Sequence, residues 1–133
     1  MIEVENELLT IISDKLQEDF PNLIVLGITN LNPSEFPCVY IEEADNYVLR
    51  NTSDSANNEN HSVLVYEVNI FSNRAVNKKG ECKKILAAVD EIMNNLEFTR
   101  TSKQPYSFDD TTKYRIFARY TAIISSDKQI YRR

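Results

Sequence analysis

The sequence predicts an α+β fold in which a mainly antiparallel sheet carries two helices on one face, in the order α-β-β-β-α-β-β. Residues 2–20 and 79–96 repeat apolar side chains every three or four positions, as a helix with one buried side does. Residues 63–72 and 113–125 have the two-residue period of strands in a sheet covered on one face. The chain has 133 residues, so we expect a single domain over 1–133.

The N-terminal part is predicted to contain the first helix and two short strands. The apolar stripe of the helix consists of Leu8, Ile12, Leu16 and Phe20. Pro21 ends the helix, because the residue before a proline is pushed out of helical geometry. Residues 23–28 are rich in β-branched side chains and predict a strand, and residues 38–42 predict another. Between them, residues 30–37 contain Asn-Pro and Phe-Pro and predict a loop.

A long polar segment follows the second strand. Residues 43–62 are rich in Asn and Ser, and they predict a loop with few side chains that could anchor to a core. Loops of this length inside a compact domain are usually functional or disordered. Within the segment, residues 47–49 are expected to form either the end of a strand or a contact tip.

The C-terminal part predicts a strand, a helix and two further strands. The strand at 63–72 leads to the helix at 79–96, which carries an apolar stripe at three- and four-residue spacing. A short strand is expected at 98–101, and residues 102–110 predict a loop around a proline. The last long strand is predicted at 113–125.

Composition narrows the function classes. The formal net charge is −5 and the pI is about 4.9, which argues against general nucleic-acid binding, since that requires a basic surface. No apolar run is long enough for a membrane span, and the acidic N-terminus does not resemble a signal peptide. We therefore expect a cytoplasmic location in the cell. In that reducing compartment, Cys38 and Cys82 are expected to be buried free thiols.

The sequence contains no recognisable catalytic set. His61 is the single histidine, so any Ser-His-Asp or Cys-His mechanism would need it, and we expect it in a surface loop. One histidine and two separated cysteines do not suit a zinc site. Gly27 and Gly80 are the only glycines, too few for a glycine-rich phosphate loop. We predict a protein that is not an enzyme and has no cofactor or metal.

Two carboxylates leave one catalytic alternative open. Glu42 and Glu67 lie on strands predicted to be neighbours, where they could hold Mg²⁺ for phosphodiester cleavage. Restriction-endonuclease-like sites place a lysine two residues after the second acid, and this chain has Asn69 there. The other interpretation is that Glu67 pairs across the sheet with Arg115 or Arg119.

A basic and aromatic strip is predicted on the last long strand, consisting of Lys113, Arg115, Phe117 and Arg119. Such a strip can stack nucleic-acid bases, but arginine and aromatic residues are also enriched at protein interfaces. Phe117 is expected to be exposed between its two arginines. We predict a subunit interface formed by Glu67, Asn69, Arg115, Phe117 and Arg119.

Five segments carry a family resemblance, namely residues 36–46 (FPCVYIEEADN), 66–73 (YEVNIFSN), 82–100, 114–120 (YRIFARY) and 130–133 (IYRR). Together they resemble the tail terminator (tail completion) proteins of long-tailed phages and prophages of low-GC Gram-positive bacteria. The segments span most of the chain from residue 36 onward. They follow the shape of a fold, and none of them is a catalytic signature.

The resemblance implies a virion protein that forms a ring, with a hexamer as the expected size. The ring would cap the tail tube and join it to the DNA-filled head, after assembly in the host cytoplasm. Implied partners are copies of the chain, the tail tube protein and a head-tail connector protein, with DNA passing through without specific binding and no membrane involved. The alternatives are another head-tail joining or minor tail protein, or a nucleic-acid-binding or nuclease domain that uses Glu42, Glu67, Arg115 and Arg119.

Overall fold

Six strands form one mixed sheet, and two helices pack on one of its faces. The computed structural model describes residues 3–30, 32–48, 61–106, 112–125 and 130–131. The helices are α1 (Glu5–Asp19) and α2 (Lys78–Asn95). The strands are β1 (Ile24–Leu26), β2 (Cys38–Val48), β3 (His61–Ser72), β4 (Thr99–Tyr106), β5 (Tyr114–Ser125) and β6 (Ile130–Tyr131).

The strand order across the sheet is β1-β2-β3-β5-β4, and β6 pairs with the end of β5. The β1–β2 pair is parallel, and the other described pairs are antiparallel. The predicted order and the mainly antiparallel sheet are therefore confirmed. The two-residue β6 is an addition to the predicted elements.

Both helices pack on the same face because each has one apolar stripe to bury. In α1 the buried side chains are Leu8, Ile12 and Leu16, as predicted. In α2 they are Cys82, Ile85, Leu86, Val89, Ile92 and Met93. These stripes meet alternate residues of the central strands, including Val68 of β3 and Ala118 of β5, to form the main core.

The start of α2 depends on an asparagine in the left-handed region. Asn77 precedes the helix with φ 61° and ψ 42°, and its side chain accepts a hydrogen bond from Gly80 N at 3.3 Å. Asparagine tolerates this conformation better than most residues, and its amide oxygen satisfies a backbone donor that the first turn leaves unpaired.

The face of the sheet away from the helices, called the outer face below, is drier than the sequence predicts. At one end it carries a second buried cluster of Cys38, Tyr40 and Phe71, flanked by Ile24 and Phe36. The prediction of a sheet that is covered on one face alone is therefore wrong at this end. Phe71 alternates with the core residues of β3 and therefore points to the outer face. Its apolar neighbours on β1 and β2 lie on the same face.

Both cysteines are buried and free, as predicted. Burial raises the pKa of the Cys38 thiol, and burial together with the nearby Glu81 charge raises the pKa of Cys82 to about 12. Both side chains therefore remain protonated at neutral pH, which is typical of structural rather than reactive cysteines.

Two strands are longer than the sequence predicts. β2 continues to Val48, through residues predicted to be loop, because β3 offers paired backbone as far as the Val48–Ser62 pair. β4 continues to Tyr106, although residues 102–110 were predicted as a loop around Pro105. A proline is tolerated there because β4 lies at the edge of the sheet and needs partners on one side alone. The remainder of the polar segment, residues 49–60, lies outside the described residues.

Across the described ranges, neither helix has both the length and the apolar character that crossing a bilayer requires.

Candidate functional site

The five residues predicted as an interface lie together on the outer face. In the β3–β5 register, Glu67 faces Arg119, Asn69 faces Phe117, and Phe71 faces Arg115. Residues that alternate with them point to the helices, so the two-residue period places these side chains on the opposite side. The sequence therefore placed them correctly, while their role as an interface stays a prediction.

Glu67 and Arg119 form an ion pair across the two central strands. Arg119 Nη2 lies 2.6 Å from Glu67 Oε2, and the side chains are 47% and 31% exposed. This confirms the predicted cross-strand pairing of Glu67 and selects Arg119 as its partner. A pair that is open to solvent contributes only about 0–1 kcal/mol to stability, so it fixes side-chain positions more than it stabilises the fold.

Arg115 binds the amide of Asn69 rather than Glu67. Its Nε and Nη2 atoms donate to Asn69 Oδ1 at 3.0 and 2.6 Å. Its guanidinium carbon also lies 5.4 Å from the centroid of the Phe71 ring. Asn69 is only 4% exposed, so its amide oxygen is a buried acceptor that fixes the position of the Arg115 guanidinium.

Phe117 is buried, contrary to the expectation that it is exposed. It retains 9% of its surface, and the guanidinium carbon of Arg119 lies 5.6 Å from its ring centroid. The stem and head of the arginine lie next to the ring, as amphipathic side chains commonly do over apolar surface. The solvent-facing surface here is therefore formed by Arg119 and Arg115, with Phe117 beneath.

An open depression of about 400 Å³ lies among these residues. It is lined by Thr29, Glu42, Glu67, Asn69, Ser102, Gln104, Arg115, Phe117 and Arg119. Thr29 Oγ1 donates to Glu42 Oε1 at 3.1 Å, which fixes one wall. Sequence reasoning missed Thr29, Ser102 and Gln104. The last two were missed because β4 was predicted to end before them, and the alternation of a longer strand would have found them.

The carboxylates of the nuclease alternative lie on adjacent strands, because Glu42 and Glu67 are directly paired in the β2–β3 register. Glu67 is engaged by Arg119, and the position where such nucleases have a lysine holds Asn69, bound to Arg115. Among the described parts of the chain, no three His, Cys, Asp or Glu side chains cluster as a metal site.

The two other predicted candidates lie apart from the depression. Lys113 lies just before the first residue of β5, with its Nζ atom 5.7 Å from the centroid of the Phe36 ring. His61 is the first residue of β3 and is half-buried, so the prediction of a surface loop is wrong for it. It pairs with Ser125 at the opposite end of the sheet from Arg115.

Comparison with known proteins adds a likeness of fold. No protein-family model matches the chain, and no curated protein matches it. Among solved structures, the chain is similar to a chain from the virion of a native gene transfer agent (GTA) particle. The TM-score is 0.52 at 11% sequence identity, over 90% of this chain and 95% of that one. At this identity the match shows that the two chains share a fold.

Proposed function

We propose that this chain is a structural subunit of a phage-like virion and acts as a tail terminator. The observation that carries the proposal is the shared fold with a chain of a GTA virion, over nearly the full length of both chains. The five segments that resemble tail terminators support this particular role within a virion. In this role the subunits form a ring that caps the tail tube and joins it to the head.

The outer face supports a function through surface contact. Arg119 and Glu67 present charged atoms that are already held by a hydrogen bond, so a partner would meet a fixed pattern of donors and acceptors. Arg115 is held by Asn69 in the same way. Arginine beside buried aromatic rings is a common composition of protein interfaces. We assign this face to contact with another subunit of the virion.

The charge of the chain also suits a protein through whose ring DNA passes. With a net charge of −5 on each subunit, a ring of identical subunits would carry a large negative charge that disfavours close contact with the phosphate backbone. DNA could then pass through the channel without strong binding. A basic surface would instead bind the DNA phosphates and hinder its passage.

The test is electron microscopy of the purified protein with tail tubes. The wild type is expected to form rings and to bind at tube ends. The Arg119→Glu variant should lower the fraction of capped tubes at least tenfold, because it places a carboxylate beside Glu67 at the contact. The control is Arg74→Glu, which makes the same charge change at an exposed site outside the outer face.

Two outcomes would redirect the assignment. A protein that never binds tubes but binds the connector would be another head-tail joining protein of the same virion. Mg²⁺-dependent cleavage of DNA that Glu42→Gln abolishes would favour the nuclease alternative, since Glu42 and Glu67 are paired across strands.

A further inference from the structure

Three lysines converge on one groove at the β4 edge of the sheet. Lys79 and Lys83 lie one turn apart on α2, and Lys103 lies on β4. The groove has a volume of about 220 Å³, and its floor is formed by Pro105, Tyr114 and Ile116. All three lysines are exposed around this largely apolar floor.

Within the described ranges, no carboxylate forms an ion pair with the lysines of this groove. Among the residues that the structure describes, the ion pairs join Arg100 to Asp90 and Arg119 to Glu67, and none includes the three lysines. Like charges one turn apart on a helix repel each other. A concentration of positive charge on an apolar floor, in a chain of net charge −5, therefore suits an acidic partner.

The opposite edge of the sheet carries the complementary charge. Glu43 lies on β2 past Tyr40, which is the last residue of β2 that pairs with β1. The carboxylate of Glu5, in the first turn of α1, accepts a hydrogen bond from Glu43 N at 2.9 Å. Burial raises the pKa of Glu43, and the charges of Glu3 and Glu5 add to this shift.

We propose that the lysine groove of one copy binds the acidic edge of a second copy, head to tail. This inference deepens the proposed ring and rests on it. The two surfaces lie on different edges, because β2 and β4 are separated by β3 and β5 in the sheet. A contact between two unlike surfaces of one chain repeats from copy to copy, and it closes into a ring when the rotation permits.

Charge reversal tests the pairing directly. The Lys79→Glu/Lys103→Glu variant and the Glu3→Lys/Glu5→Lys variant should each associate at least tenfold more weakly than wild type, measured by sedimentation velocity at low salt. An equimolar mixture of the two should recover association, because each reversed groove then meets a reversed edge. Circular dichroism establishes that each variant is folded before it is compared.

The control is Lys15→Glu/Lys84→Glu, which makes the same change in net charge at exposed lysines outside the groove. It should associate as the wild type does. A zero-length carbodiimide cross-link between ¹⁴N- and ¹⁵N-labelled copies should join a lysine of the groove to Glu3, Glu5 or Glu43 of the other copy.

Three results would overturn the inference: no self-association up to millimolar concentration, no recovery in the mixture of folded variants, or binding of duplex DNA through the three lysines in place of self-association. The tail-tube test separates this failure from failure of the proposed function. A subunit that caps tubes without using this groove would retain the function and refute the contact.

Discussion

At the scale of single residues, the register of the sheet decides which polar groups meet. Alternation in β3 and β5 predicted that Glu67 would find an arginine across the strands, and Arg119 is that arginine. That Asn69 is a buried acceptor for Arg115 could not be predicted from the strand period, because burial of an amide depends on its neighbours in the folded sheet. Pairing follows from a local period, whereas burial of a polar group depends on tertiary packing.

Glu43 provides a residue-scale prediction on pH. Burial, more than the charges of Glu3 and Glu5, raises the pKa of this carboxyl, while the hydrogen bond from Tyr66 opposes the shift. The folded state therefore prefers the protonated form of Glu43. As the pH rises above the ordinary pKa of a glutamate carboxyl, ionisation of Glu43 lowers the free energy of unfolding. Glu43→Gln should accordingly be more stable than wild type at pH 7.

The advantage of Glu43→Gln should disappear when the pH falls below the ordinary carboxyl pKa of 4.5, where the wild-type side chain is also neutral. Urea unfolding at several pH values measures this difference. Glu18→Gln, at an exposed position of α1, is the control and should show no such change. Equal stability of wild type and Glu43→Gln at pH 7 would contradict the prediction.

At the scale of elements, the helices were easier to predict than the strand ends. Apolar periodicity predicted both helices because each helix buries one stripe of side chains. That period is present in the sequence whatever the helix packs against. The ends of β2 and β4 depend on how far β3 and β5 extend beside them, which is information from other parts of the chain. Pro105 predicted a loop by local preference, but its place at a sheet edge permits a strand.

At the cap of α2, the effect of a substitution at Gly80 should depend on the side chain of Asn77. A methyl group at Gly80 would collide with the side chain of Asn77, which folds over the first turn. Gly80→Ala should therefore gain about 1 kcal/mol of helix propensity and lose about 1 kcal/mol of capping, with little net change. In an Asn77→Gly background the collision is absent, and the same substitution should stabilise by about 1 kcal/mol.

A double-mutant cycle with thermal or urea unfolding measures this coupling between Asn77 and Gly80. The expected interaction is about 1 kcal/mol, since the two residues are in contact. Additive effects of the two substitutions would show that the asparagine side chain does not act as the cap in solution.

At the scale of the whole molecule, one sheet with two helices on one face could be predicted from patterning alone. The depression on the outer face could be predicted only in part. Its arginines and acids lie on long strands with a clear period, while Thr29 lies beyond β1 and comes near Glu42 through the path of the chain. Side chains in connecting segments follow no repeating sequence pattern, so their positions could not be predicted in the same way.

The polar segment between β2 and β3 gives the last prediction. Val48 pairs with Ser62, so replacing residues 50–60 by Asn-Gly lets the two strands continue into a tight turn. Shortening the connection should leave the fold intact and raise the free energy of unfolding by about 1 kcal/mol. If the segment docks to a neighbouring subunit, the shortened protein should lose tube capping in the microscopy assay.

Retained capping by the shortened protein would remove this segment from the contact. A control that replaces the same residues with an equally long Gly-Ser sequence separates the effect of length from that of sequence.

The part of β2 that extends past β1 has a consequence for how copies can meet. Beyond Tyr40 this edge has no strand partner among the described residues, although the Glu5 carboxylate occupies the backbone N–H of Glu43. A strand edge without a partner strand is a template for pairing with another chain. Two such edges related by a twofold axis would bring Glu42, Glu43 and Asp45 of one copy against the same acids of the other, and that repulsion disfavours a symmetric dimer. In the proposed ring, contact between copies would therefore be directional, because a symmetric dimer would end growth whereas addition to an unlike edge would continue it toward closure.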